Sequence, residues 1–254
     1  MYRLNKPPTK YWFRPYGPSE TVDALVDELN GLKIKLKNSH YRKKNGHILI
    51  NWGNRHPFDQ PVDFNRPENV AVAISKMQTF RVLQAANVPI PRWTQNKADI
   101  KDWQEKVVGR DTDSGRSGRG ITVYQKGDEI GDHLFYSEYF RKERELRVHV
   151  FKKEVIFVQE KLKRKGYVGA VDKYIRSHDR GWCFAFHHLA EKPAPAGVRL
   201  AAVASVAALG LDFGAVDIGW NKDAGPVVFE VNTAPGLEES SLKAYATAFR
   251  KYGE

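Results

Sequence analysis

The sequence predicts a mixed α/β fold of the α+β kind. Three observations carry that expectation. "VVGR" and "ITVY" flank a Gly-rich loop as the arms of a hairpin (107–124). "RKERELRVHVF" leads into a strand whose alternation continues after a Lys-Lys turn as "EVIFVQEKLKRK", as neighbouring antiparallel strands do. "FGAVDIGW" and "PVVFEVN" read as a further strand pair, preceded by the nearly all-apolar helix "GVRLAAVASVAALGLD" (197–212), which Gly210 ends.

The earlier elements follow in order. Residues 1–18, rich in Pro and aromatics, read as an irregular arm. "SETVDALVDELNG" reads as a short helix capped by Ser19, with acids in its first turn and Gly31 after it. "HILINWG" (47–53) reads as a buried strand, and "RHPFDQPVDFNRP" as a loop. "NRPENVAVAISKMQTFRVLQAANVPIP" reads as one helix, with Asn65 and Glu68 at capping-box spacing and Pro67 in the first turn. On it Ala73, Met77, Phe80 and Gln84 share a face, with Val70 and Ile74 beside them, until "VPIP" stops it. "LFYSEYF" (134–140) is an apolar strand carrying Glu138, and "YIRSHDRGW" puts Arg176 and His178 in a loop before "CFAFHHL".

Composition bounds the function. The chain has 254 residues, 41% of them hydrophobic and 12% aromatic, enough for a packed core. Its single cysteine, Cys183, excludes an intrachain disulfide framework and a Cys-based zinc site. No run of about 18 apolar residues exists, so no membrane span is expected. The opening "MYRLNKPPTKYWFRPYG" lacks the apolar stretch of a signal peptide, which points to a cytoplasmic location. A net charge of +11 suggests an anionic partner: a nucleotide, nucleic acid, acidic peptide or polyphosphate.

"FEVNTAPGLE" (229–238) holds the densest chemistry. Glu230 and Asn232 are two apart on a strand and face the same side; Asp217 lies on the strand before. Together they offer carboxylate and amide oxygens, the hard ligands that suit Mg²⁺ bridging to nucleotide phosphates. Pairing with nearby Arg or Lys at the end of a sheet is the structural alternative. The Gly-, Ser- and Arg-rich loop within 107–124 lets backbone N–H groups approach phosphate oxygens, and it is not a Walker A loop. An ordinary mobile hairpin loop is the alternative there.

In this order the motifs resemble those of ATP-grasp carboxylate–amine ligases, over about residues 65–240. The likeness is strongest to the branch containing the bacterial ribosomal-protein glutamate ligase, in which "VDI…G..V.FEVN..PGLE" recurs almost letter for letter. The resemblance implies an ATP-grasp fold: two antiparallel-sheet subdomains gripping ATP (65–136, with the glycine loop, and 137–254, with the metal site) after a reduced α/β domain (1–64). That first segment is similar to uncharacterised phage-encoded ATP-grasp proteins. It further implies Lys76, Arg110 and Lys161 on the α and β phosphates, with Ser117, Gly118 and Gly120 in the loop over them. Glu138, Tyr139 and Phe140 would lie beside adenine and Glu145 at the ribose. Asp217, Glu230 and Asn232 would hold one or two Mg²⁺, with Mn²⁺ able to substitute, and Arg176 would stabilise the moving phosphoryl group and the later oxyanion. Gly236 and Leu237 would line the acceptor pocket.

The chain also departs from the family pattern. Arg110 stands where the family usually has Lys on the strand entering the loop, and His178 where many members have Asn. Ala215 stands where D-alanine ligases place an Arg, which the glutamate-ligase branch also lacks. The reaction implied is ATP-dependent amide formation through an acylphosphate, on an amino acid, a peptide or an acidic macromolecular acceptor. A phosphotransferase on the same scaffold is one alternative. A basic nucleic-acid-binding module with Trp12, Trp52, Trp93 and Trp103 as stacking groups is another. The basic stretches "KIKLK" (33–37) and "YRKKN" (41–45) are expected to steer a polyanionic acceptor.

Overall fold

The computed structural model describes residues 9–35, 39–114 and 120–253. Lys10–Pro15 (β1), Leu32–Lys33 (β2) and His47–Trp52 (β3) form a parallel sheet in the order β2-β1-β3. The expected irregular arm therefore contains the central strand of a sheet. Its Tyr11 and Phe13 point into a core with Ile48, Ile50, Phe64, Phe151 and Phe213. Burial of these alternate aromatics outweighs the flanking prolines, which sit at the strand's end where no ladder bond is lost.

Helix α1 (Glu20–Leu29) is capped by the Ser19 side chain, which accepts from the Val22 N–H, and it buries Val22, Leu25 and Leu29. It packs beside the C-terminal helix α5 (Glu239–Gly253), an element absent from the sequence reading, whose Tyr245, Ala246 and Phe249 complete the same core. The N-terminal sheet thus shares one continuous core with strands from the C-terminal half.

The single long helix expected from Asn65 to the "VPIP" stop is two helices, α2 (Pro67–Ile74) and α3 (Lys76–Ala85). Ser75 breaks the helix in an extended conformation and caps α3 by accepting from the Gln78 N–H. The break rephases the buried face, so α3 buries Thr79, Phe80 and Leu83, while Gln84 is exposed. The expected capping box is not formed. Asn65 has φ +56° and spends its side chain on Asp212 and Phe213, and Arg66 occupies the N-cap position of α2 without a side-chain bond.

Two antiparallel sheets make up the rest. Trp93–Thr94 (β4), Val107–Arg110 (β5), Ile121–Tyr124 (β6) and Phe135–Glu138 (β7) form one, in the order β4-β7-β5-β6. Arg144–Phe151 (β8), Glu154–Lys163 (β9), Trp182–Ala185 (β10), Phe213–Asn221 (β11) and Gly225–Asn232 (β12) form the other, in the order β10-β9-β8-β11-β12. The apolar helix α4 (Val198–Ala208) is buried against one face of this second sheet, with Leu146, Val148, Val216, Ile218 and Val228. The opposite face carries the charge. Among the described residues no helix is long and apolar enough to cross a membrane.

Three of the four tryptophans considered as stacking groups are engaged inside the fold. Trp52 is buried against Phe213 and Tyr245, Trp103 is buried in a small cluster with Ile100 and Tyr136, and Trp93 contacts Phe80 and Phe135. Trp12 packs on Tyr41. None is a free platform for a base.

Candidate active site

Strand register builds the charged face. Asp217 is directly opposite Glu230 on β12 and opposite Arg147 on β8, and Ala215 is opposite Asn232. Directly paired residues share a face, so Asp217, Glu230 and Asn232 lie together as their spacing predicts. A bulge between Asp217 and Ile218 leaves Phe229 out of register with β11. Its ring lies over Gly219, where an added Cβ would come within 2.4 Å of it.

Each carboxylate has a cation. Arg147 grips Asp217 with two hydrogen bonds, Nε to Oδ1 at 2.7 Å and Nη2 to Oδ2 at 2.8 Å. Lys76, the first residue of α3, reaches Glu230 at 2.5 Å, and the Asn232 amide donates to the other Glu230 oxygen at 3.1 Å. Burial pushes the Glu230 carboxyl up, but Lys76, then Arg147 and Lys161, outweigh it and hold it well below the usual carboxylate range. The α2–α3 break is what puts Lys76 here. Its N–H donates to the Asp113 carbonyl, and the Met77 N–H donates to the Asp113 carboxylate, so the glycine loop and α3 meet at one residue.

A second ring of charge surrounds Glu145. This buried carboxylate is 2.6 Å from Lys161, 3.3 Å from Lys142 and 3.9 Å from Arg176. Burial alone would raise its pKa, and Lys161, Lys142 and Arg176 turn the shift downward. Arg176 lies over the Trp182 ring, 4.5 Å from its centroid, and donates to the Lys142 carbonyl. Arg147 and Lys161 both lie over Phe184, at 4.3 and 5.4 Å.

These groups line a cleft of about 350 Å³ between the two antiparallel sheets. Val108, Arg110, Ile121, Val123 and the Ser137–Phe140 segment form one side; Glu145, Arg147, Lys161, Phe184, Asp217 and Glu230 form the other. Six Lys and Arg residues (Lys76, Arg110, Lys142, Arg147, Lys161, Arg176) face four carboxylates (Glu138, Glu145, Asp217, Glu230). One of the four is diverted: Glu138 accepts from the Gln104 and Glu105 N–H groups. Arg110 Nε is buried with no hydrogen-bond partner, as are Arg176 Nε and one oxygen of Glu145. Burial lowers the Arg110 pKa, and Glu230 only partly opposes it.

Most residues expected from the sequence meet in this cleft: Lys76, Arg110, Glu138, Tyr139, Phe140, Glu145, Lys161, Arg176, Asp217 and Glu230. Asn232 lines an adjoining cleft of about 700 Å³, which also shares Lys76, Arg147 and Glu230. Gly236 lines that second cleft, but Leu237 does not. Its side chain packs into the aromatic core beside α1, and its N–H meets Thr21. Gly120 adjoins the Asp111–Thr112 turn, with φ +66°. Ser117 and Gly118 lie outside the described residues. His178 lines the first cleft with a largely exposed ring whose hydrogen bond is to Arg164 at 2.9 Å. The sequence reading did not assign Arg147 or Lys142 to the site. Their signal was present in "FRKERELRV", where alternation puts Glu145 and Arg147 on the face that Asp217 shares.

The donor set fits Mg²⁺: two carboxylates and an amide oxygen on one face, with Asn232 Nδ2 turned to Glu230. Among the described residues no group of three or more His, Cys, Asp or Glu is arranged to hold a metal ion by itself.

No family model matches the sequence, and no curated protein is significantly similar to it. Solved structures are similar in fold. The ATP-grasp ligase PsnB, complexed with minimal precursor, Mg and ADP, superposes with a TM-score of 0.66 at 11% identity, covering 96% of this chain and 97% of that one. D-alanine–D-alanine ligase from Bacillus anthracis, complexed with ATP, gives 0.63 at 16% identity, covering 95% and 92%. A RimK domain ATP-grasp protein from Sphaerobacter thermophilus gives 0.60 at 15% identity, covering 94% and 97%. With two antiparallel sheets closing on a cationic cleft, the chain has the ATP-grasp fold.

Proposed function

We propose that the protein is an ATP-dependent carboxylate–amine ligase that forms an amide bond and releases ADP and phosphate. The observation that supports this most directly is Arg110: a buried guanidinium whose Nε has no protein partner, across the cleft from the Asp217–Glu230 pair. A buried unpaired donor is costly, and an anionic ligand removes the cost. The excess of cations over carboxylates around it matches a polyphosphate chain.

In this reading ATP lies between the sheets. Lys76, Arg110 and Lys161 hold its phosphates, and the Glu138–Phe140 segment lies beside its base. Asp217, Glu230 and Asn232 would hold Mg²⁺, which neutralises charge on the phosphate oxygens. Lys76 and Arg147 now occupy the carboxylates, so nucleotide entry exchanges those ion pairs for contacts to phosphate. An oxygen of the substrate carboxylate attacks the γ-phosphorus, ADP leaves, and an acylphosphate forms. An amine nitrogen then attacks the acyl carbon; the C–O bond to phosphate breaks, and the amine proton is lost. Arg176 is positioned to offset the charge of the transferring group. The similar solved structures include ligases complexed with ATP and with a precursor peptide, which supports both the nucleotide site and a peptide-sized acceptor.

The test is mass spectrometry of products after incubation with ATP, Mg²⁺ and panels of amino acids, peptides and cell extracts. A product heavier by the amine minus water, formed with ADP, is expected. ADP formed with a phosphorylated hydroxyl product would identify a phosphotransferase instead. Absence of any nucleotide-induced thermal shift would remove both readings.

A further inference from the structure

The larger cleft, of about 700 Å³, is bounded on one side by the loop after β3 and on the other by the Asn232–Gly236 turn. Two exposed side chains, Arg55 and His56, stand on its rim. Arg55 has no acidic partner among the described residues.

The loop that carries them is held by an unusual amount of buried polar structure. Arg14, 7% exposed, donates to the carbonyls of His56 and Pro57 at 2.8 and 3.2 Å, with its guanidinium 4.5 Å from the Phe58 ring centroid. Asn51, fully buried, donates to the carbonyls of Asn54 and Asn65. Asn54 donates to the Pro15 carbonyl and accepts from the His56 N–H. Gly53 (φ +73°) closes the loop onto the facing turn: a Cβ there would come within 2.5 Å of the Ala234 Cβ. Three buried polar side chains and a close backbone approach therefore fix a loop whose exposed products are Arg55 and His56. Buried polar networks cost stability unless fully satisfied. What this one delivers is a cation held at a set place on the cleft wall, a preorganised anion contact.

The basic stretch expected to dock a polyanion does not supply that contact. Lys33 is paired with Asp23, Arg42 lies 3.8 Å from Asp59, and Lys43 lies 2.6 Å from Asp63. None of Lys33, Lys35, Arg42, Lys43 and Lys44 lines the cleft, and Lys37 lies outside the described residues.

We propose that Arg55 determines acceptor specificity by binding a non-reacting carboxylate of an acidic peptide lying in this cleft. The proposal rests on the ligase reading for the cleft's role as acceptor site. It goes further in assigning the substrate class and the residue that selects it. A peptide is favoured over a single amino acid because the cleft is of the size that encloses a drug-sized or larger ligand. Lys76 and Asn232 line the same cleft as Arg55, which offers a place for a reacting carboxylate and another for a second one.

The test uses the full-length protein with saturating AMP-PNP and Mg²⁺, and fluorescence anisotropy of fluorescein-labelled tetraglutamate against labelled tetraglutamine. Wild type is expected to prefer tetraglutamate by about tenfold or more. Arg55→Glu should abolish the preference, and Arg55→Lys should keep it within about threefold, since a single carboxylate needs charge more than a fork. Arg55→Gln, isosteric enough for an exposed site, repeats the loss if the charge reversal fails to fold. No preference in wild type, or an unchanged preference in folded Arg55→Glu or Arg55→Gln, overturns the assignment. AMP-PNP binding measured on the same wild-type sample tests the ligase reading separately: its absence would sink that reading whatever the peptides do.

Discussion

Asp217 and Glu230 face each other across β11 and β12, and each is hydrogen-bonded by a different cation: Arg147 holds the first bidentately and Lys76 holds the second. Without a ligand, buried Asp217 and half-buried Glu230 would repel each other across the strand pair, and the cations beside them offset that. The arrangement gives each carboxylate a cationic partner, and in the ligase reading metal and nucleotide displace those two ion pairs. Glu230→Gln keeps the shape and removes the charge. The folded variant is expected to lose at least about a hundredfold in Mg²⁺-dependent ATP turnover, the scale seen when one preorganised electrostatic group is removed. Turnover within a few-fold of wild type would mean that Glu230 is only a structural partner of Lys76.

Arg110 tests the phosphate side of the cleft. Its guanidinium is buried between Phe135, 5.8 Å from its centroid, and the open cleft. Arg110→Lys should keep most of the thermal stabilisation given by AMP-PNP and Mg²⁺, because a phosphate oxygen accepts from an ammonium as well. Arg110→Ala should lose most of it, with affinity down by about tenfold or more. The same shift in wild type and the Ala variant would show that the nucleotide does not reach Arg110.

Gly219 tests the wall of the cleft. No Cβ fits there: it would lie 2.4 Å from Phe229 and 3.0 Å from Phe140. Both rings line the smaller cleft, where the ligase reading puts ATP. In Gly219→Ala the rings must move, and the expected result is a raised KM for ATP, with a smaller change in kcat. Equal KM values for variant and wild type would show that the two rings do not contact the base.

Much of this site was legible in the sequence because it depends on local periods. The same-face placement of Asp217, Glu230 and Asn232 follows from the strand period of two, and the β5–β6 hairpin from its Gly-rich connection. What was not legible depends on distant packing. The β1 strand was hidden because Pro15 and its aromatic neighbours read as irregular until Phe249 and Phe213 are brought up against Phe13. The break at Ser75 was hidden because the apolar period runs on across it. Only the Asp113 contacts, 36 residues away in the case of Met77, fix where α3 starts. The surroundings of the basic 33–45 stretch were hidden for the same reason, since Asp59 and Asp63, beside Arg42 and Lys43, come from another loop.

The same face of the sheet carries a further titratable group. His149, fully buried on β8 two residues after Arg147, bonds Gln159 at 3.1 Å through Nε2 and Tyr245 at 3.4 Å through Nδ1. Burial drives its pKa down to about 4, Arg147 adds to the effect, and the Gln159 hydrogen bond only partly opposes it. The sign follows from proton uptake. Between the ordinary histidine value of about 6.5 and the folded value the unfolded chain binds a proton that the native protein does not, so stability falls as pH falls through that window. The loss attributable to His149 is about 3 kcal/mol between pH 6.5 and 4. Other groups titrate nearby, so the measurement is a comparison: urea unfolding of wild type and His149→Gln at intervals across that range. The variant starts less stable near neutral pH, because Gln fills the site poorly, but its stability should decline less steeply on acidification. Parallel declines in the two proteins would mean that His149 is protonated in the folded state at the ordinary pH, and that Tyr245 and Gln159 hold an imidazolium rather than a neutral ring.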